Sequence, residues 1–256
     1  MEQPTRRIRV VVPITTRGFR DASSLPSFAG SGTEITLTQI ERGPASIESE
    51  FEAALAAPDV ILRIAEAERE GVDAAVIDCM DDPGLLAARE VVSIPVLGPC
   101  QTTMHLACLL GQRFSVVTTM EGSVSGFENR ARLYGVAEKL ASVRWVDIPV
   151  LELSSVENGL LHDLIEESVK AVVEDGAHVL IFGCTGLLGC AEAVRQALEQ
   201  CGHEGIPVID PTPTTIRFAE MLVDAKIRHS KRTYPRPRSM FAVGYEFTDR
   251  EGPDAV

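Results

Sequence analysis

The chain has 256 residues, 45% apolar and 24% charged, a make-up that suits one large globular core or two modest ones and excludes a fibrous or disordered protein. Its net charge of −13 repels a phosphate backbone and so disfavours nucleic-acid binding, and no apolar run approaches a membrane span. Six cysteines occur without a C-x-x-C pair or a zinc-finger His pair, and Met1–Arg7 lacks a secretory signal, so the expected setting is cytoplasmic, with reduced thiols and no structural metal.

In chain order, the β-branched run Ile8–Ile14 predicts a first strand, followed by a Gly/Ser/Pro-rich loop at 18–32 and an alternating strand at Thr33–Ile40. Ser49–Glu70 has helical spacing, interrupted by Pro58 and stopped at Gly71. Ala74–Asp78 reads as an apolar strand ending at Cys79. Asp82-Pro83-Gly84 reads as a helix start with Asp82 as N-cap, ahead of a helix at Leu85–Val91. A strand is expected at Ile94–Leu97, and then the pattern restarts. Helices are expected at Gln101–Leu110, Val124–Tyr134, Leu160–Glu174, Leu187–Gln200 and Thr214–Lys226. Strands are expected at Phe114–Thr118, Val143–Ile148, Val179–Phe182 and Pro207–Ile209. The tail His229–Val256 is expected to wrap the surface, and the basic cluster Arg217–Arg238 to be a solvated segment.

Strands alternating with helices predict parallel α/β sheets. An internal echo adds to this. The first half runs helix, Gly71-Val72-Asp73, strand, Cys79, helix start; the second runs helix, Gly176-Ala177-His178, strand, Cys184, helix start. Two similar lobes facing one another across a cleft are expected, the first built from 1–98 plus 208–256 and the second from 99–207.

Ligands of open parallel α/β sheets sit at the carboxyl ends of the strands, where both Cys79 and Cys184 fall. A following helix start supplies free N–H groups and a positive dipole end, so both thiols are expected to be easily ionised and to react with iodoacetamide faster than the other four. Cys108 and Cys190 fall inside expected helices and read as packing residues. Gly183-Cys184-Thr185-Gly186 surrounds one thiol with glycines that let a ligand approach the backbone, and the Thr185 hydroxyl is placed to hold a carboxylate or enolate-like oxygen. Two opposed thiols, one ionised and one protonated, suit inversion of a carbon centre by proton transfer, and such a mechanism requires neither pyridoxal phosphate nor a metal. The run Gly183-x-x-Gly186-x-x-Gly189 is not a phosphate-binding fingerprint, and no G-x-S-x-G elbow occurs. His105, His162, His178 and His203 read as structural.

Asp78-Cys79-Met80-Asp81-Asp82-Pro83-Gly84-Leu85, with Ala88-Arg89-Glu90, resembles the first cysteine motif of hydantoin and allantoin racemases. Met104-His105-Leu106-Ala107 and Phe114–Thr119 resemble their central segment, Gly183-Cys184-Thr185-Gly186 the second cysteine motif of the wider aspartate/glutamate racemase superfamily, and His229-Ser230-Lys231 the end of hydantoin-racemase-like chains. The resemblance implies two Rossmann-like lobes related by a pseudo-twofold axis, with Cys79 and Cys184 facing each other across the substrate. It implies a cofactor-independent racemase of a 5-substituted hydantoin, allantoin or related small molecule, working as a homo-oligomer. The pocket is expected to be lined by Pro13, Thr15, Thr16, Met80, Thr118, Thr119, Gly183, Thr185 and Gly186, with the five threonines as hydrogen-bond donors. The chain departs from the family where Val-Pro-Ile-Thr-Thr replaces an Asn-Pro-Asn-Thr type of stretch and where Gln101-Thr102 replaces a common acidic residue. Arylmalonate decarboxylase and maleate isomerase share the superfamily fold, so a decarboxylase or isomerase acting on a diacid is the second expectation; a non-catalytic small-molecule binder is the third.

Overall fold

The computed structural model describes residues 6–155, 157–240 and 244–245. Strands β1 (Arg6–Val12), β2 (Thr33–Gln39), β3 (Ala74–Ile77) and β4 (Val96–Leu97) form a parallel sheet in the order β2-β1-β3-β4. Strands β5 (Phe114–Thr118), β6 (Leu140–Trp145), β7 (Val179–Phe182) and β8 (Val208–Ile209) form a second parallel sheet in the order β6-β5-β7-β8. The two orders are the same, which relates the lobes as the sequence echo predicts. The inner strands β3 and β7 are buried throughout, as continuous apolar runs covered on both faces should be.

Helices α1 (Glu50–Arg69) and α2 (Leu85–Val91) cover one face of the first sheet, and α7 (Pro211–Asp224) covers the other. In the second lobe, α3 (Pro99–Leu110) and α4 (Val124–Leu133) lie on one face, and α5 (Glu157–Val173) and α6 (Ala191–Gln200) on the other. Helices α3 and α7 pack together where the lobes join. Each fully buried Val, Leu or Ile of these layers contributes about 1.5–3 kcal/mol. Among the described residues, no helix is long and apolar enough to cross a membrane.

The repeat extends to single hydrogen bonds. Asp73 N–H donates to Arg7 O at 2.8 Å, and His178 N–H to Arg113 O at 2.9 Å. Gly71 and Gly176 end their helices with φ of +77° and +70°, a region that favours glycine. At the other end of the strands, Asp78 N–H donates to Val11 O at 2.8 Å and Gly183 N–H to Val117 O at 2.7 Å. The next residue in each lobe is a cysteine.

Several elements differ from the sequence expectation. Helix α1 runs unbroken through Pro58. A proline within a helix costs roughly 3 kcal/mol. Eight buried positions on α1, and an N-terminus capped by Ser49 accepting from Glu52 N–H, outweigh that cost. Strand β6 begins at Leu140, three residues before the expected Val143, because a short 3-10 turn at Ala137–Lys139 delivers the chain to pair beside Phe114. Helix α6 begins at Ala191 rather than Leu187; the chain first makes a 3-10 turn at Thr185–Leu187. Strand β8 pairs with β7, so the second lobe extends through Ile209 and the return to the first lobe follows it, not residue 207. The basic segment is exposed at Arg228, Arg232, Arg236 and Arg238. Its anchor is a clasp in which Lys231 Nζ donates to Arg89 O and Val92 O while His229 Nε2 meets Val96 N–H at 2.9 Å. Residues 1–5, 241–243 and 246–256, which include half of the expected tail, lie outside the described residues.

Candidate active site

Cys79 and Cys184 leave equivalent strand ends, one in each lobe, and line the same chamber. Its first-lobe wall includes Pro13, Phe19, Ile47 and Met80, and its second-lobe wall Thr118, Thr119, Ser123, Val150, Gly183 and Thr185. The chamber measures about 30 Å³, room for about one water. Small-molecule clefts are typically about 300–1,000 Å³, so in this conformation the chamber is shut to a ligand of that size.

Of the expected pocket residues, Pro13, Met80, Thr118, Thr119, Gly183 and Thr185 line the chamber; Thr15, Thr16 and Gly186 do not. The Thr15 hydroxyl donates to Pro44 O at 3.0 Å and the Thr16 hydroxyl to Ala45 O at 2.7 Å, which turns both toward the adjoining loop. Gly186 lies just behind Cys184, its N–H donating to the sulfur at 3.3 Å. Two further threonines are engaged: Thr118 Oγ1 donates to Gly183 O at 3.3 Å, and Thr185 Oγ1 donates across the lobes to Asp78 O at 3.1 Å. The Thr119 and Ser123 hydroxyls are left facing the chamber, with no hydrogen bond to another described side chain. Ser123 carries no sequence signal, since it sits in a short loop between β5 and α4.

Beneath the two thiols lies an ion pair that ties the lobes. Arg20 donates to the Asp78 carboxylate at 2.6 and 3.2 Å and to Thr185 O at 2.7 Å, while Thr212 Oγ1 donates to Asp78 Oδ1 at 3.1 Å. A second cation, Arg130, pairs with Asp81 at 2.5 Å and with Glu50 at 3.2 Å. Glu48 accepts from Val150 N–H at 2.8 Å and closes the opposite rim. Arg20 hides in a loop that reads as featureless, and nothing in the sequence pairs it with Asp78.

The expectation of easily ionised thiols is overturned. Burial pushes the Cys79 thiol well above its ordinary range, and the Asp81 carboxylate adds to the rise. Burial pushes Cys184 up to about 12, against the opposing pull of the Gly186 N–H and the Arg20 guanidinium. The helix expected behind Cys79 starts too late to help, at Leu85. The turn behind Cys184 is three residues long and offers one N–H to the sulfur.

Asp82 does not cap the helix that follows it. Gly84, at φ +75°, holds that position, and the Asp82 carboxylate instead accepts from Cys100 N–H at 3.1 Å, Gln101 N–H at 2.9 Å and the Tyr134 hydroxyl at 2.7 Å. It therefore caps α3, in the other lobe. The fit is tight, since a Cβ on Gly98 would lie 2.4 Å from this carboxyl group. Burial raises Asp82 to about 6. Cys190 stands at the N-cap of α6, half-buried, rather than inside the helix. Among the described residues, no group of three or more His, Cys, Asp or Glu side chains is placed to hold a metal ion.

Two like α/β lobes with one cysteine each at matching strand ends define a two-lobed, paired-thiol protein. Residues 21–219 match the family described as Asp/Glu/Hydantoin racemase. The chain is 37% identical over 243 residues to the hydantoin racemase of Pseudomonas sp. (strain NS671), covering 93% of this chain and 94% of that one. Its fold superposes on allantoin racemase from Klebsiella pneumoniae with a TM-score of 0.87 at 30% identity, covering 94% and 97% of the two chains. An arylmalonate decarboxylase variant shares the fold alone, at 15% identity and a TM-score of 0.66 over 90% of this chain and 99% of that one. The chain belongs to the Asp/Glu/hydantoin racemase family.

Proposed function

We propose that this protein is a cofactor-independent racemase that inverts the carbon next to a carbonyl in a 5-substituted hydantoin or a related small molecule such as allantoin. The observation that carries the reading is the placement of Cys79 and Cys184 at equivalent strand ends of opposite lobes, on one chamber. One sulfur, as thiolate, removes the proton from C5. The electron pair passes into the neighbouring carbonyl as an enolate. The other sulfur, as thiol, returns a proton to the opposite face. The reverse reaction exchanges the two roles, and no atom is gained or lost.

The Gly186 N–H and the Arg20 guanidinium favour a thiolate at Cys184, as the Asp81 N–H and the Arg130 guanidinium do at Cys79, so either sulfur can start as the base. A thiolate of raised pKa is scarce but strongly basic, which suits a weak carbon acid. Thr119 and Ser123 are the hydroxyls available to the enolate oxygen. A diacid substrate fits less well: Arg20 and Arg130, the cations nearest the thiols, are already paired with Asp78, Asp81 and Glu50.

The test is to incubate single enantiomers of 5-methylhydantoin and allantoin with the protein in heavy water, following optical rotation and deuterium at the stereocentre. Rotation should decay, with deuterium entering mainly the inverted product. Cys79→Ser and Cys184→Ser should each lose roughly 10²–10⁴-fold in rate. Inertness toward every hydantoin and allantoin sinks the assignment.

A further inference from the structure

In both lobes the residue two past the cysteine donates its backbone N–H to the sulfur: Asp81 to Cys79 at 3.4 Å, and Gly186 to Cys184 at 3.3 Å. The repeat breaks at the side chain. Gly186 has none, whereas the Asp81 carboxylate accepts from the Cys79 thiol through Oδ2 at 3.7 Å. Its other oxygen, Oδ1, meets the Arg130 guanidinium at 2.5 Å, and Arg130 Nε donates to Asp81 O at 3.0 Å. Arg130 pairs in turn with Glu50, whose side chain is 69% exposed.

Asp81 also stands between two spaces. It lines the thiol chamber, and it lines a hollow of about 500 Å³ between α2 and α4 that meets water beside the exposed Glu50 and Leu133. Among the described residues, no other lines both. The Asp81 side chain is 19% exposed, so water reaches it while the chamber has room for about one water. Burial raises Asp81 above the ordinary carboxylate range, against the pull of Arg130, so it takes up a proton more readily than a surface carboxylate does.

We propose that Asp81 is a proton relay between Cys79 and the water of the hollow, exchanging the thiol's proton with solvent between turnovers while the chamber stays shut. The inference rests on the racemase reading and adds a residue to it. The S–H bond of Cys79 breaks as its proton passes to Asp81 Oδ2, and the carboxyl releases a proton to water in the hollow; the reverse sequence returns one. Nothing is oxidised or reduced. Each turnover moves a substrate proton onto one sulfur and takes the proton of the other. A single water between the sulfurs can hand that proton across to reset the pair, and without a relay the proton of one substrate molecule would enter the next product. Cys184 has no carboxylate two residues on, so the exchange belongs to the Cys79 side.

The test runs single enantiomers of 5-methylhydantoin or allantoin, whichever turns over faster, in heavy water with the whole protein. Mass spectrometry reads deuterium in the inverted product at low conversion, with non-enzymatic exchange subtracted. Wild type should give mainly deuterated product. Asp81→Asn keeps the N–H to the sulfur and the size of the side chain but takes up no proton, and its product should shift to mainly protium, carried over from earlier substrate molecules. Asp81→Gly should shift likewise, and formate entering the vacated space from the hollow should restore deuterium, a rescue that a merely structural role would not give. As a readout without turnover, alkylation of Cys79 at mildly alkaline pH should rise about tenfold against that of Cys184 in Asp81→Asn, the change in thiolate that one pKa unit carries. Mainly protium product from wild type, wild-type isotope content in Asp81→Asn, or no rescue by formate overturns the relay and leaves the racemase reading intact. An unchanged alkylation ratio removes the carboxylate from the sulfur and overturns the relay too. Inertness of the wild type toward hydantoins and allantoin overturns both readings.

Discussion

Arg20 and Asp78 form a two-pronged ion pair, with side chains 5% and 0% exposed, whose ends touch the neighbours of both candidate catalytic cysteines. Asp78 immediately precedes Cys79. The Thr185 carbonyl that Arg20 also binds immediately follows Cys184. One guanidinium thus fixes the spacing of the two thiols. Arg20→Ala leaves a buried carboxylate with only Thr212 for a side-chain partner. Removing one partner of a buried pair costs about 3–5 kcal/mol. Urea denaturation should show a loss of that size, with racemase activity falling in the fraction that remains folded. An unchanged midpoint would mean the pair is solvated in solution.

The thiols make a prediction of opposite sign to the one their position in the sequence suggests. Burial raises both, so in the free protein each thiolate fraction is small at neutral pH and grows about tenfold per pH unit up to the folded pKa. Iodoacetamide should label the exposed Cys201 first at pH 7.5, and the rate at Cys184 should climb without a plateau through pH 10. Peptide mapping of the alkylated protein reads both. Fast labelling of Cys79 and Cys184 at pH 7 would restore the idea of poised thiolates.

Asp210, at the start of α7, is raised to about 6, chiefly by burial, and its Oδ1 has no hydrogen-bond partner among the described residues. Because its folded pKa lies above the unfolded value near 3.9, the folded state binds the extra proton between about pH 4 and 6. The stability that this proton provides is present below pH 4 and is lost as pH rises through 6. Asp210→Asn removes the penalty. Relative to wild type, the variant should gain roughly 2 kcal/mol at pH 8 compared with pH 4, as read from paired denaturant curves. A pH-independent difference would refute this account.

Gly183 adjoins Cys184 with no room for a side chain. A Cβ there would lie 2.5 Å from Thr118 Cβ and 2.8 Å from Val116 Cγ1. Gly183→Ala should displace the end of β7 at a cost of about 1–3 kcal/mol and carry Cys184 with it. Misplacing a reacting group by about 1 Å can cost about 10²-fold in rate. The expected signature is a fall in kcat much larger than any change in KM. Wild-type kinetics in this variant would mean that the strand end yields freely.

The lobes were legible in the chain because their signals are periodic and local. Apolar β3 and β7, glycines at 71 and 176, and cysteines one residue past Asp78 and Gly183 repeat at constant spacing. The partners of the site were not legible, because they are set by distance in space. Asp82 looks like the cap of the helix beside it and instead caps α3 in the other lobe, a choice made by the left-handed Gly84 and the close approach of Gly98. Thr15 and Thr16 stand next to the pocket in sequence, but the Pro44–Ala45 carbonyls claim their hydroxyls. Pro58 shows the converse, a strong local breaker overruled by the buried face of α1.

The shut chamber has a kinetic consequence. If the open form is a fraction of the population, the apparent Kd for substrate is the intrinsic one divided by that fraction, and capture cannot outrun the frequency of opening. The bonds that resist opening lie at different depths. Glu48–Val150 and Arg130–Glu50 span the rim, whereas Arg20 and Thr185 hold the floor. Loosening the rim should therefore tighten binding and speed turnover together until protonation of the proposed enolate intermediate by entering water begins to compete. The resting molecule trades speed of entry for a narrow, largely water-free place, the setting that the proposed carbanion would need in order to be reprotonated on its other face.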